Sequence, residues 1–242
     1  MHPRTSYYLY AFLNHFAISQ VFVIYALYLL DLGLGLGEII LINAAWQFTI
    51  VISEVPTGVL ADGRGRVWSL RAGVLVLMMA MALYACASGF WMALAAEVIL
   101  GIGASFLSGA DEAWITDALH RRGESHLLPK TLARSQLMQN TGMLLGSTTG
   151  ALLSLMHFRV VYAASAVLFA ILFLFTCFGM NGADGEPMHR VKEWDALRQS
   201  LQRVRASEEL RWLLIVVVGY AFVFTLNHWW TPFAEGIVGR LG

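Results

Sequence analysis

Long uncharged stretches follow one another along this chain, separated by short polar connections. A helix needs about 20 apolar residues to cross a bilayer. The pattern therefore predicts seven membrane spans, at residues 7–30, 39–61, 69–88, 90–109, 137–156, 160–180 and 212–230. Glu54 interrupts the second, Arg71 touches the start of the third, and Glu97 lies within the fourth. The first stretch is far longer than the roughly 7–15 residues of a signal-peptide core. It is expected to remain in the protein as a span.

The connections alternate in character. Those after spans 1, 3 and 5 are short, whereas those after spans 2, 4 and 6 carry the basic residues. With a cytoplasmic N-terminus, Arg4, Arg64, Arg66, Arg71, Arg121, Arg122, Lys130, Arg134, Arg190, Lys192, Arg198, Arg203, Arg205 and Arg211 all fall inside. Arg159 and Arg240 fall outside. That asymmetry is the positive-inside pattern of a polytopic membrane protein. One missed or invented span would destroy it.

Composition agrees. Of 242 residues, 58% are hydrophobic and 13% charged, against about 25% charged in soluble domains, and the mean hydropathy is +0.63. Sixteen basic residues balance sixteen acidic ones, so there is no basic surface for a nucleic-acid partner. Cys86 and Cys177 are isolated in apolar runs and make neither a disulfide framework nor a metal site. The expected organisation is a six-helix transmembrane bundle over residues 1–180, a cytoplasmic linker over 181–209, and a seventh helix opening an incomplete C-terminal half over 210–242. Within the linker, Trp194, Leu197, Leu201 and Val204 recur at helical spacing among Arg198, Arg203 and Arg205, as in an amphipathic helix lying on the membrane surface.

The junction of spans 2 and 3 reads Gly58-Val-Leu-Ala-Asp62-Gly-Arg64-Gly65-Arg66. Asp62 stands just before span 3, where the positive end of a helix favours a carboxylate. Arg64 and Arg66 can pair with Asp62, or with Asp111, Glu112 or Asp117 after span 4. Gly58 and Gly65 suit a close helix approach and a tight turn. The string resembles motif A of the major facilitator superfamily, with Gly63 where the pattern usually has Arg or Lys. In that family the charge cluster latches the inner gate, which assigns Gly58, Asp62, Arg64, Gly65, Arg66, Asp111 and Asp117 to a gate by resemblance.

Two further strings are degenerate matches. Leu94-Ala-Ala-Glu97-Val-Ile-Leu100-Gly101-Ile-Gly103 in span 4 is similar to the antiporter motif B, with Glu97 where that motif has Arg. Gly142-Met-Leu-Leu-Gly146-Ser147-Thr-Thr-Gly150-Ala151 in span 5 is similar to the exporter motif C, with Ser147 where that motif has Pro. Glycines four apart also make a smooth stripe that lets another helix pack closely, and packing is the expected role of Gly142, Gly146 and Gly150. The resemblance covers essentially the whole chain. It implies an all-α transmembrane bundle of the major facilitator type: the six-span N-terminal half plus one further span. A missing C-terminal half, or a second chain, is then expected to complete it.

An ionisable side chain inside a span generally faces a cavity or a partner. Glu97 is accordingly the candidate proton-coupling residue, with substrate contact or a hydrogen-bonded structural role as its alternatives. Asn14 and His15, Gln139 and Asn140, and Asn227 and His228 are candidate liners of the substrate cavity, because polar side chains avoid lipid. Glu54, just before Pro56, is expected to serve groups freed by a proline kink. No Gly-x-Ser-x-Gly, His-Glu-x-x-His or Cys-x-x-Cys occurs, and Gly33-Leu-Gly35-Leu-Gly37 lacks the Gly-Lys-Ser/Thr of a phosphate cradle. No catalytic residue, metal or cofactor is expected.

The sequence reading is a secondary transporter in a bacterial inner membrane, with proton-coupled antiport and efflux of a small amphipathic or drug-like molecule. Its partners would be that substrate, protons and the lipid bilayer. The competing reading is a non-transporting remnant, or a seven-span scaffold or receptor.

Overall fold

The computed structural model describes residues 1–180 and, beyond them, only Ser207, Glu208, Trp212 and Val216. The expected linker helix and, but for Trp212 and Val216, the expected seventh span lie outside the described residues, as do Asn227 and His228. The described chain is helical: α1 (Pro3–Phe22), α2 (Tyr25–Asp31), α3 (Leu36–Arg64), α4 (Arg66–Ala85), α5 (Phe90–Leu107), α6 (Ala110–Arg121), a 3₁₀ turn (Ser125–Leu127), α7 (Leu128–Ser154) and α8 (Phe158–Gly179).

Local chemistry sets the boundaries. Pro3 and Pro129 occupy first-turn positions of α1 and α7, where a missing N–H costs nothing. The Glu38 carboxylate accepts the Gly35 N–H at 2.8 Å and caps α3. Gly65, at φ 99°, separates α3 from α4, a conformation that side chains resist. Gly109, at φ 70°, does the same between α5 and α6.

Four helical stretches among the described residues are long and apolar enough to cross a membrane, and α1 with α2, bent by 43°, makes a fifth. The bend replaces the straight first span expected over 7–30. It falls where Val21, Val23 and Ile24 bring β-branched side chains together, which weakens a helix. The expected fifth span falls on the helix α7, which is not among the helices apolar enough to cross a membrane, because Gln136, Gln139, Asn140, Thr141, Ser147, Thr148 and Thr149 lie along it. At 27 residues it runs about 40 Å, longer than the roughly 30 Å of bilayer hydrocarbon.

Helix packing forms a series. α7 rests on α1, α1 touches α8, α8 packs on α4, α4 on α5, and α5 on α3. α6 packs against α4, α1 and α7. Lipid is as apolar as Leu, so contact depends on close fit and on side chains that bond neighbouring backbones. The closest fit joins α1 and α7, where a Cβ added at Gly142 would lie 2.5 Å from the Phe12 carbonyl oxygen. Cβ atoms at Gly146 and Gly150 would overlap the carbonyl oxygens of Phe16 and Gln20. Ser147, in the place of a motif proline, donates to the Ser19 carbonyl at 3.4 Å. α4 and α5 meet through Gly73 and Gly103, with Leu77 and Leu107 filling the opposite surfaces.

Side-chain bonds to neighbouring backbones join the helices. Ser69 Oγ donates to the Phe106 carbonyl at 2.7 Å and Ser165 Oγ to the Ala17 carbonyl at 2.8 Å. Ser6 Oγ donates to Gly179 O at 2.8 Å, and the Arg71 guanidinium reaches the carbonyls of Thr176 and Cys177 at 3.3 Å. The last carbonyls of α8, which have no partner within their own helix, are thereby satisfied from α1 and α4.

Gly146→Ala is expected to lower the thermal unfolding midpoint of detergent-purified protein, at a cost of about 1–3 kcal/mol for overpacking. Gly37→Ala, where an added Cβ meets nothing within 4 Å, is expected to leave that midpoint in place. Equal midpoints for the two variants would contradict the close crossing of α1 on α7.

Candidate functional site

Glu97 sits in the N-terminal half of α5, and only 3% of it is exposed. Tyrosines surround it. The Tyr84 hydroxyl of α4 donates to Glu97 Oε2 in a short hydrogen bond, and the Tyr25 hydroxyl of α2 donates to the same carboxylate. Asn43 of α3 donates in turn to the Tyr25 hydroxyl oxygen at 3.4 Å. Tyr162 of α8 stacks on Tyr84 with ring centroids 4.9 Å apart, and Tyr28 lies 4.6 Å from Tyr162. The Tyr28 hydroxyl donates to the Tyr84 carbonyl at 2.6 Å.

This enclosure explains how the carboxyl persists in an apolar interior. A buried polar group must find hydrogen-bond partners, and tyrosine supplies an apolar ring with one polar tip. Among the described residues no Lys, Arg or His pairs with Glu97. A carboxylate held by neutral donors keeps an expensive charge that a proton removes. The Tyr25, Tyr28, Tyr84 and Tyr162 ring was missed in the sequence, because a tyrosine in an apolar run reads as one more hydrophobe.

The gate residues divide differently from the expectation. Arg66 pairs with Asp62 at 2.7 Å across one helical turn of sequence, while the Arg64 guanidinium lies over the Trp68 ring, 4.7 Å from its centroid. Neither arginine is paired with a carboxylate of α6. Asp111 instead accepts the Glu112 N–H at 2.9 Å within the first turn of α6, where a helix N-terminus favours negative charge. It lies within electrostatic reach of Tyr7 and Tyr10. Asp117 is exposed. Gly58 stands in open space, with nothing described within 4 Å of a Cβ placed there. The close approach expected at Gly58 is absent among the described residues, whereas Gly65 makes the expected turn.

Glu54 is exposed. No hydrogen bond from it to a group near Pro56 is described, and the neighbouring Thr57 hydroxyl lies 2.7 Å from Ser53 O, its own i−4 carbonyl, and 3.2 Å from Ser105 O of α5. The cavity candidates on α1 and α7 sit on helices that pack together, without bonding each other. Asn14 is half-buried with its Oδ1 unpartnered, and a His15 ring nitrogen meets the Ala11 carbonyl at 3.0 Å. Gln139 is half-buried, and the exposed Asn140 accepts from Gln136 at 3.1 Å.

These features describe a membrane-embedded helical bundle with a charged turn at one end and a buried carboxyl near the other. The sequence model of the Major Facilitator Superfamily matches residues 7–239, and the chain belongs to that family. It is similar to a Bacillus subtilis (strain 168) protein described as an uncharacterized MFS-type transporter, YxaM. Identity is 23% over 242 residues, covering 96% of this chain and 58% of that relative. The chain therefore spans somewhat more than half the length of the curated relative it matches, and it is a multi-pass membrane protein of a transporter family.

Tyr84→Phe is expected to destabilise the bundle by about 1–3 kcal/mol, because a buried carboxylate loses a donor. Combined with Glu97→Gln, the loss should be clearly smaller than the sum of the two single losses, since both act on one contact. Thermal unfolding of the two single variants and the double variant checks this, and strict additivity would refute the contact.

Proposed function

We propose that this chain forms the N-terminal part of a secondary transporter that moves a small amphipathic molecule by alternating access, with proton antiport coupled through Glu97. Family membership supports transport. The observation that carries the coupling is a carboxyl 3% exposed, bonded by neutral tyrosine hydroxyls and without a paired cation among the described residues. Such a group can be neutral in one state of a cycle and ionised in another without stranding an opposite charge.

The direction we infer is export across a bacterial inner membrane. Its support is the sequence likeness of the Gly142–Gly150 stripe to an exporter motif. The arginine-rich Asp62 turn supports a cytoplasmic N-terminus by the positive-inside pattern. The pair of Asp62 with Arg66 would act at the inner gate, its breaking accompanying the rocking of one bundle against the other. A cavity over α1, α5 and α7 would present Asn14, His15, Gln139 and Asn140 to the substrate, with Asn227 and His228 contributed by the following span.

The test uses everted membrane vesicles containing the transporter expressed from its complete gene, with ethidium as the amphipathic probe and respiration supplying the proton gradient. Gradient-driven ethidium accumulation above vesicles lacking the protein is expected, with Glu97→Gln lowering it at least tenfold. Asp62→Asn should slow it while leaving its pH dependence in place. Accumulation no greater than in protein-free vesicles would refute export of this class of molecule, and accumulation unchanged by Glu97→Gln would refute the coupling role.

A further inference from the structure

A proton that reaches the buried Glu97 must pass one of the side chains that touch it. Tyr84 is 0% exposed and Tyr162 1%, and the two rings stack on each other. Tyr25 is half-buried, and its hydroxyl oxygen accepts from the half-buried Asn43 of α3 at 3.4 Å. The approach to the carboxyl therefore lies along α3.

The polar side chains of α3 share one edge. Asn43, Gln47, Glu54 and Gly58 recur at steps of four, seven and four residues, which places them above one another on a helix. The neighbouring exposed face is apolar, with Leu41, Phe48, Ile52 and Val55. Glu54 is exposed, well inside a helix long and apolar enough to cross a membrane. Among the described residues its carboxylate has no hydrogen bond or ion pair. An ionisable side chain in a span faces a cavity or a partner. One turn further on, nothing described lies within 4 Å of a Cβ placed at Gly58, and Asp62 beyond it is exposed. From Glu54 to the Asp62 turn the edge is open, with room for water.

Resting on the reading of Glu97 as a proton-exchanging group, we propose that Glu54 is a second proton-exchange residue, which passes protons between Glu97 and the Asp62 end along this edge. From Asn43 to Glu54 the helix rises about 16 Å, and water beside Gln47 bridges the interval. In the uptake direction Glu54 gives its proton to that water and is left as a carboxylate. The water passes a proton to the Tyr25 oxygen as the Tyr25 hydrogen moves to the Glu97 carboxylate. Tyr25 ends as it began, Glu97 is neutral, and Glu54 takes a new proton from the Asp62 end. Release runs the same steps backward.

α3 packs against α5, α4 and α2. The other charged groups of α3 are Glu38, Asp62 and Arg64; α4 brings Arg66 and Arg71, α2 brings Asp31, and α5 brings Glu97. Arg66 pairs with Asp62, Arg64 lies over Trp68, and Arg71 bonds α8. Glu97 itself is faced by Tyr25, Tyr84 and Tyr162. Two carboxyls on one path, neither bonded to a cation among the described residues, can be neutral in turn, as in a proton relay.

The experiment follows the Glu97 carboxyl in the full-length transporter in lipid, by time-resolved infrared spectroscopy after a rapid drop in pH. The C=O band that appears on protonation is assigned by its loss in Glu97→Gln. Glu54→Gln is expected to slow the appearance of that band by roughly tenfold or more and to leave its midpoint pH in place. Glu54→Asp should keep most of the native rate. Azide, a small weak acid that delivers protons in place of the lost carboxyl, should restore the rate in Glu54→Gln. Glu38→Gln, at the other end of α3, should leave the rate unchanged.

A native rate in Glu54→Gln would overturn the proposal, as would a slowed rate that azide leaves slow. Should Glu54→Gln fail to fold, Gln47→Leu, which interrupts the polar edge, decides alone, and a native rate there overturns the proposal. If no band appears in the native protein, Glu97 exchanges no protons and both readings fall. Gradient-driven ethidium transport measured on the same proteins separates them otherwise. If the rate depends on Glu54 while transport ignores Glu97→Gln, the relay stands and the coupling assignment falls. If transport requires Glu97 and the rate ignores Glu54→Gln, only the relay falls.

Discussion

A membrane interior offers backbone groups no water to bond and apolar side chains no gain from touching each other rather than lipid. Helices in this chain are therefore held where backbones come close or where a hydroxyl or guanidinium reaches a neighbouring carbonyl. Gly142, Gly146 and Gly150 supply the first kind of contact along α1. Ser6, Ser69, Ser147, Ser165 and Arg71 supply the second, each bonding the main chain of another helix. Remove these, and little would favour one arrangement of the greasy helices over another.

The same constraint governs the polar interior. Lipid cannot solvate Glu97, so the protein surrounds it with hydroxyls drawn from α2 and α4 and closes the ring with α8. A carboxyl held by neutral donors links separate helices without an opposing charge, and its protonation changes the bonds that the neighbouring helices can make. The motif A pair works in another setting. Asp62 is exposed and Arg66 half-buried, where an ion pair contributes at most about 1 kcal/mol. Breaking such a pair costs little.

The spans of α3, α4, α5 and α8 were legible because uncharged runs of bilayer length are a strong signal. Glu97 was legible as a lone charge in an apolar helix, and the glycine stripe by its four-residue spacing. The bend after α1 was not, since it involves neither proline nor glycine and lies inside an unbroken apolar run. The tyrosine ring escaped notice because its members are scattered over Tyr25, Tyr28, Tyr84 and Tyr162, and only the packing of α2, α4 and α8 brings them together. Arg64 was read as an ion-pairing partner, whereas Trp68, four residues on, offers its ring face at one turn's distance. Asp111 went unpaired with either arginine because the start of its own helix already provides an N–H and a favourable dipole.

The clamp on the last turn of α8 has a mechanical consequence. Ser6 near the start of α1 and Arg71 in α4 grip the carbonyls of Gly179, Thr176 and Cys177, so the polypeptide leaves the bundle from an anchored exit. Tension applied from the downstream sequence would be borne by the roots of three helices at once, beside the turn that carries Asp62.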